Sequence, residues 1–207
     1  VQHEVEQLLP LCEQCATAIH TVRLLEERNH FIASRRHLIQ TYAEIANAPN
    51  FDETLRRVRT AIVQTGLFDR AGVYYVQGDR CHSAWGTDLE GREVDEHGAS
   101  YDPESFEQTI AYLNLNGGQY CTWDSIPEDN LPPQETHLPH KHGLTALRVG
   151  DEILGLVFVD NFITHRPITT SALELLAEFA NQVSVAVKNA HLLEEQRQLA
   201  LRQSRLS

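Results

Sequence analysis

Methionine is missing from all 207 residues, position 1 included, and cysteine is held to four. The first absence leads us to expect a piece of a longer or processed polypeptide. No apolar run approaches the roughly 18 residues that a bilayer-spanning helix needs, and no charged-then-apolar segment opens the chain. The expectation is a soluble, cytoplasmic fragment with reduced thiols and no membrane partner. Positive charge is also scarce. The formal net charge is −12. Between Gly86 and Thr136, Arg92 is the one cation against twelve carboxylates (Asp88, Glu90, Glu93, Asp95, Glu96, Asp102, Glu104, Glu107, Asp124, Glu128, Asp129, Glu135), a net of −11. Such a field repels phosphate backbones and argues against nucleic acid as a direct partner. No Gly-rich phosphate loop, GxSxG elbow, HExxH or paired-carboxylate signature is present, so catalysis by this fragment is not expected.

What is present begins with a repeat. Glu6 to Glu27 matches Glu174 to Glu195 without gaps at an offset of 168 residues, with eight of 22 positions identical, including Leu24-Leu25-Glu26-Glu27 against Leu192-Leu193-Glu194-Glu195. The offset is a whole number of heptads, so both copies keep one seven-residue phase. Around the first copy, Gln2 to Ala46 has helical spacing interrupted by Pro10 alone, with Leu24, Phe31, Leu38 and Ile45 at intervals of seven and Leu25, Ile32 and Ile39 beside them. Around the second, Val185, Leu192, Leu199 and Leu206 repeat in the same way. Stripes this long exceed what one small domain covers, and predict a parallel homodimer through both terminal helices. Cys12 and Cys15 form a CxxC, but their repeat counterparts are Ala180 and Val183; they read as small buried hydrophobes rather than a redox or metal pair.

Between the rods, Asp52 reads as the N-cap of a helix to about Thr65. Ala71 to Val76 and Arg80 to Trp85 read as a hairpin, followed by an irregular acidic stretch. A helix is expected over Glu104 to Asn114, a strand over Tyr120 to Trp123, and a long proline-containing loop to His142. The hairpin Leu144 to Val149 and Glu152 to Asp160 turns at Gly150-Asp151, and its second strand is apolar enough to be central. Thr169 or Thr170 caps the final helix. This order gives an α+β fold with an antiparallel sheet.

The stretch GLTALRVGDEILGLVFVDNFITHRPITTSALELLAEFANQVSVAVKNAHLLEE resembles the closing hairpin, "RPIT" arm and terminal helix of a GAF domain. FDETLRRVRTAIVQTGLFDRAGVYYVQGD is similar to that family's first helix and strand. The resemblance implies a PAS/profilin-like antiparallel sheet and a small-molecule-sensing or protein-binding regulatory module of a multidomain signalling protein, such as a histidine kinase or transcriptional regulator. It implies residues 1–47 as a signalling helix, which doubles as the tail of a preceding copy, 48–190 as the GAF domain, and 191–207 as a linker to an output domain. Thr122 to Ser207 contains no cysteine for covalent bilin attachment, and the Asn-Lys, Phe and Asp-Glu pattern of cyclic-nucleotide binders is not found, so neither cofactor is expected and the small-molecule ligand is unknown.

Within that frame, Tyr75, Trp85, Tyr101, Phe106, Tyr120, Trp123 and His142 are the candidate ligand contacts, although aromatic residues also serve as plain core. His137, His140 and His142 in HLPHKH form the strongest metal constellation, with Glu135 as a fourth ligand. Cys81 and Cys121 complete a metal or redox alternative. A constitutive dimerisation spacer, its pocket filled by its own side chains, is the remaining reading. Cys81 and His82, adjacent on a strand, point to opposite faces and do not make a nucleophile–base pair.

Overall fold

The computed structural model describes the backbone of residues 2–124 and 141–204, and the side chains of 12–100, 102–122 and 141–204. Helix α1 (Gln2–Ala46) leads to α2 (Phe51–Gln64), then β1 (Arg70–Gln77), β2 (Arg80–Thr87), β3 (Glu93–Asp95) and β4 (Ser100–Tyr101). Helix α3 (Pro103–Leu115), β5 (Tyr120–Asp124), β6 (Lys141–Val149), β7 (Glu152–Asp160) and α4 (Thr170–Ser204) follow. The strands form one antiparallel sheet in the order β3-β2-β1-β7-β6-β5, with β4 also paired to β2. The apolar run of β7 puts it between β1 and β6, as its burial requires.

Local chemistry sets the helix ends. Asn50, not Asp52, caps α2: its side chain accepts from the Glu53 N–H at 2.8 Å, and Asp52 falls in the first turn beside the positive helix end. Asp102 caps α3 through the Ser105 N–H at 2.9 Å, with Pro103 opening the helix. Thr169 Oγ1 accepts from the Ala172 N–H at 3.2 Å at the start of α4.

Two apolar layers flank the sheet. On one face α1, α2 and α4 bury Leu38, Ile45, Leu55, Val58, Ile62, Leu176, Phe179 and Val183 against Val73, Leu147 and Val157. On the other, α3 closes a smaller cluster of Cys81, Leu113, Cys121, Leu144, Ala146 and Leu156, edged by Tyr74, Phe106, Ile110 and Phe158. Helix α4 lies close on β6, where a Cβ at Gly143 would stand 2.6 Å from Leu173 Cδ2.

The structure corrects several expectations. The acidic stretch after β2 contains β3 and β4. Glu93 takes Arg56 Nε at 2.7 Å and Thr60 Oγ1 at 3.0 Å from α2, which holds β3 in place. Leu38 and Ile45, expected on an intermolecular seam, are buried in the chain's own core, and Phe31 packs against it. The exposed stripe is the neighbouring one, Leu25, Ile32 and Ile39, because the last third of α1 lies on α2 and α4 through the adjacent face. Cys12 and Cys15 are exposed rather than buried, since no described residue covers α1 ahead of residue 31. On α4, Val185, Leu192 and Leu199 are exposed; Leu206 lies outside the described residues.

The Arg35–Glu178 pair (3.2 Å) and the hydrogen bond from Arg197 Nη1 to the Pro49 carbonyl (3.3 Å) run in the same sense along both chains. Helices α1 and α4 are therefore parallel. The free part of α1, roughly 40 Å long, and the free end of α4 leave the domain at opposite ends.

Candidate functional site

Of the seven predicted ligand contacts, the five with described side chains, Tyr75, Trp85, Phe106, Tyr120 and His142, do not share one space. Strand alternation puts Tyr74 toward α3 and Tyr75 toward the helix pair, in phase with Ala71 and Val73 in the larger core. Tyr75, Trp85 and Tyr120 pack at the edge of the larger core, whereas Phe106 belongs to the α3 cluster. His142 is half-buried on β6, its Nδ1 3.8 Å from Asp160 Oδ2. The side chains of Tyr101 and Trp123, and the whole of His137 and His140, lie outside the described residues. No group of three metal-ligating side chains occurs among the described residues.

The sheet and α4 do create a groove of about 670 Å³. Its domain wall is Asn50, Phe51, Asp52, Tyr75 and His97, and its other wall is α4, through His191, Glu194, Gln198, Leu199 and Arg202. Phe51 meets Tyr75 edge-on with ring centres 5.5 Å apart and His191 at 4.9 Å, so one ring joins the first turn of α2, the centre of β1 and the emerging α4. Tyr75 also stacks on His82 at 5.3 Å, which confirms that His82 turns away from Cys81.

Charge is arranged around Asp52. Its Oδ1 accepts from Trp85 Nε1 at 2.8 Å and lies 3.1 Å from His97 Nε2, while His97 Nδ1 lies 2.6 Å from Asp95 Oδ1. Hydrogen bonds from the His97 backbone and ring hold the Asp95 carboxyl below its ordinary value. Burial, assisted by the Asp52 charge, pushes the Tyr75 phenol up. The groove thus offers aromatic faces and fixed acceptors, with Asp52, Glu194 and Glu195 against Arg202.

A second cleft, about 490 Å³, opens on the other face of the sheet over Tyr74, Ser83, Glu96, Ala99 and Ser100, and His97 borders both spaces. Ser83 Oγ donates to Glu96 Oε2 at 3.0 Å, and the carboxylate rests on Gly86, which has no Cβ to obstruct it. Sequence reasoning missed Phe51, Asp52, His97, His191 and Glu96. Only Asp52 and Phe51 carried a signal, their position at the first turn of α2.

Burial pushes the thiols of Cys81 and Cys121 up to about 12 and about 11 respectively. Few thiolates form at neutral pH, and neither sulfur is suited to redox exchange.

The GAF domain model matches residues 50–187, more than half of the chain. The chain belongs to the GAF domain family. The GAF domain of an Acinetobacter phosphoenolpyruvate-protein phosphotransferase superposes with a TM-score of 0.54 at 13% identity, over 76% of this chain and 93% of that one. Residues 122 to 287 of a methyl-accepting chemotaxis protein give 0.54 at 16%, over 73% and 97%. The chromophore-binding domain of a Stigmatella aurantiaca bacteriophytochrome gives 0.56 at 12%, over 76% and 60%. At these identities the likeness is one of fold. No curated protein matches the sequence. Within the GAF domain, no described helix is long and apolar enough to cross a membrane.

Proposed function

We propose that this GAF domain is a ligand-responsive regulatory module of a signalling protein, and that it passes its state to an output through α4 in a parallel homodimer. The supporting observation is the groove whose two walls belong to different parts of the relay: Phe51, Tyr75 and His97 on the domain, His191, Glu194 and Arg202 on α4. A ligand changes an equilibrium only by its differential affinity for the two states. One that touches both walls binds a particular setting of α4 better than others, so occupancy and helix position are coupled without a separate transmitting element. Aromatic faces with an excess of carboxylates favour a flat ligand bearing N–H donors over a phosphate. The exposed stripes Leu25, Ile32, Ile39 and Val185, Leu192, Leu199 supply the dimer contact.

A panel of uncharged and cationic heterocyclic metabolites, scanned by melting temperature on the chain and on Tyr75→Ala, tests the reading. A ligand at 100 times its Kd stabilises by about 2.7 kcal/mol. It should raise the melting temperature of the parent, and this rise should shrink in the variant. The packing of Cys81, Leu113, Cys121, Leu144 and Leu156 across the α3 face favours a second reading, a constitutive dimerisation spacer. A spacer would show no response to any compound while remaining dimeric.

A further inference from the structure

Helix α1 carries, besides the face packed on its own domain and the exposed Leu25, Ile32 and Ile39 stripe, a further apolar face in its N-terminal half. From Phe31 onward, Phe31, Ser34, Leu38 and Ile45 face the domain. Continued toward the N-terminus at intervals of seven, that face meets Thr17 and Pro10, and has no apolar continuation beyond Leu24. In the earlier half, sequence spacing places Leu8, Leu11, Cys12, Cys15 and Ile19 along one face of a helix. Moving from Ile19 to Leu38 advances 19 residues, which rotates the face by roughly 100°. One body cannot cover both.

The repeat identifies what covers the first face. In α4, nine positions between Leu175 and Val187 are buried: Leu175, Leu176, Ala177, Phe179, Ala180, Val183, Ser184, Ala186 and Val187. Subtracting the offset of 168 gives Gln7, Leu8, Leu9, Leu11, Cys12, Cys15, Ala16, Ala18 and Ile19, apolar at eight of the nine. The exposed α4 residues between Glu174 and Asn189 are Glu174, Glu178, Asn181, Gln182, Val185 and Asn189, and their counterparts Glu6, Pro10, Glu13, Gln14, Thr17 and Thr21 are polar at every position but Pro10. The pattern that lays α4 on β6 and β7 is thus written a second time in α1. There Cys12, Cys15 and Ala16 are exposed, and Ile19 is 70% exposed. Small residues at the counterparts of Ala180, Val183 and Ser184 suit close approach to a sheet and make poor knobs for a coiled coil.

We infer that the N-terminal half of α1 is the closing helix of a second GAF-type domain on the N-terminal side, seated with Leu8, Leu11, Cys12, Cys15 and Ile19 against that domain's antiparallel sheet. One continuous helix then serves as the exit of the first domain and the entry of the second. Its change of face near residues 20–30 fixes the rotation of one domain relative to the other.

Cys12 and Cys15 report on this contact without any substitution, because Cys81 and Cys121 are buried. Maleimide labelling under native conditions, with the modified peptide identified by mass, is compared between the 207-residue chain and the natural polypeptide that contains it. In the short chain both thiols should label at the rate of exposed cysteine. In the natural polypeptide labelling should slow by about 100-fold or more, as for a side chain closed off until the helix lifts from the sheet. Equal rates in the two forms would overturn the inference, as would a natural polypeptide with no domain ahead of Val1. Protection that appears in the short chain as its concentration rises would also overturn it, because a second copy would then be the occupant.

Discussion

The guanidinium of Arg70, the first residue of β1, grips the carboxylate of Asp160, the last residue of β7: Nη2 stands 2.7 Å from Oδ2 and Nε stands 2.9 Å from Oδ1. Both side chains are nearly buried, and Arg70 also lies 5.0 Å over the Phe162 ring. Asp160 accepts the Phe162 N–H at 3.0 Å as well, so one carboxylate ties two central strands to the arm that leads into α4.

Removing one partner of such a pair strands the other charge. Asp160→Ala should therefore cost about 3–5 kcal/mol, whereas replacing both partners by apolar residues of similar volume should cost much less. Urea unfolding of the two single variants and the double variant measures the coupling. Costs for the single variants that simply add in the double would show that the pair contributes nothing of its own.

Asp69 fixes the same arm from another side and makes it acid-sensitive. Burial alone would raise its carboxyl, but the Thr164 N–H at 2.6 Å, the Thr164 hydroxyl at 2.7 Å and Arg166 at 3.1 Å outweigh burial and hold it below the ordinary aspartate value of 3.8. A carboxyl depressed in the folded state stabilises the fold fully above its unfolded value, and that contribution fades as pH falls through the folded value. Asp69→Asn should lower stability at pH 7 by about 1–3 kcal/mol and flatten the loss of stability below about pH 4. Parallel acid-denaturation profiles for parent and variant would refute the assignment.

Two glycines should respond differently to an added methyl group. At Gly155 a Cβ would collide with the backbone carbonyl of Tyr74 on the paired strand, which can yield only by moving β1 from β7. At Gly86 the obstacle is the end of the Glu96 side chain, which can swing away at the expense of its hydrogen bond from Ser83. Gly155→Ala should cost about 1–3 kcal/mol from overpacking, and Gly86→Ala about 0.5–1.5 kcal/mol from the lost hydrogen bond. Urea midpoints at constant m-value compare them; Gly86→Ala costing the more would reverse the argument.

The elements legible in the sequence are those whose pattern is local. The β6–β7 hairpin shows itself in an apolar run interrupted by Gly150-Asp151, and α4 in its heptads. Strands β3 and β4 were not legible because they are only three and two residues long in a polar, acidic stretch, and the residues that hold β3, Arg56 and Thr60, lie in α2, more than 30 residues earlier. The candidate site failed for the same reason. Strand alternation separates Tyr74 from Tyr75, but which of the two faces the helices is decided only when α2 and α4 pack on the sheet, and His191 meets Phe51 only after α4 has packed across it.

The two stripes of α1 pose the sharpest case. Leu38 and Ile39 are adjacent, both aliphatic, and each belongs to a series spaced by seven, so periodicity alone gives them equal claim to the core. Packing on α2 and α4 separates them: Leu38 is 4% exposed and Ile39 58%. Leu38→Ala should therefore leave a cavity and cost about 2–5 kcal/mol in the folding of one chain. Ile39→Ala should change monomer stability by less than about 0.5 kcal/mol and should instead weaken self-association. Sedimentation across a concentration series, read beside thermal melts at low concentration, separates the two effects. If Leu38→Ala dissociated a dimer while leaving the monomer's melt unchanged, the seam would run through the first stripe and the packing of α1 described here would be wrong.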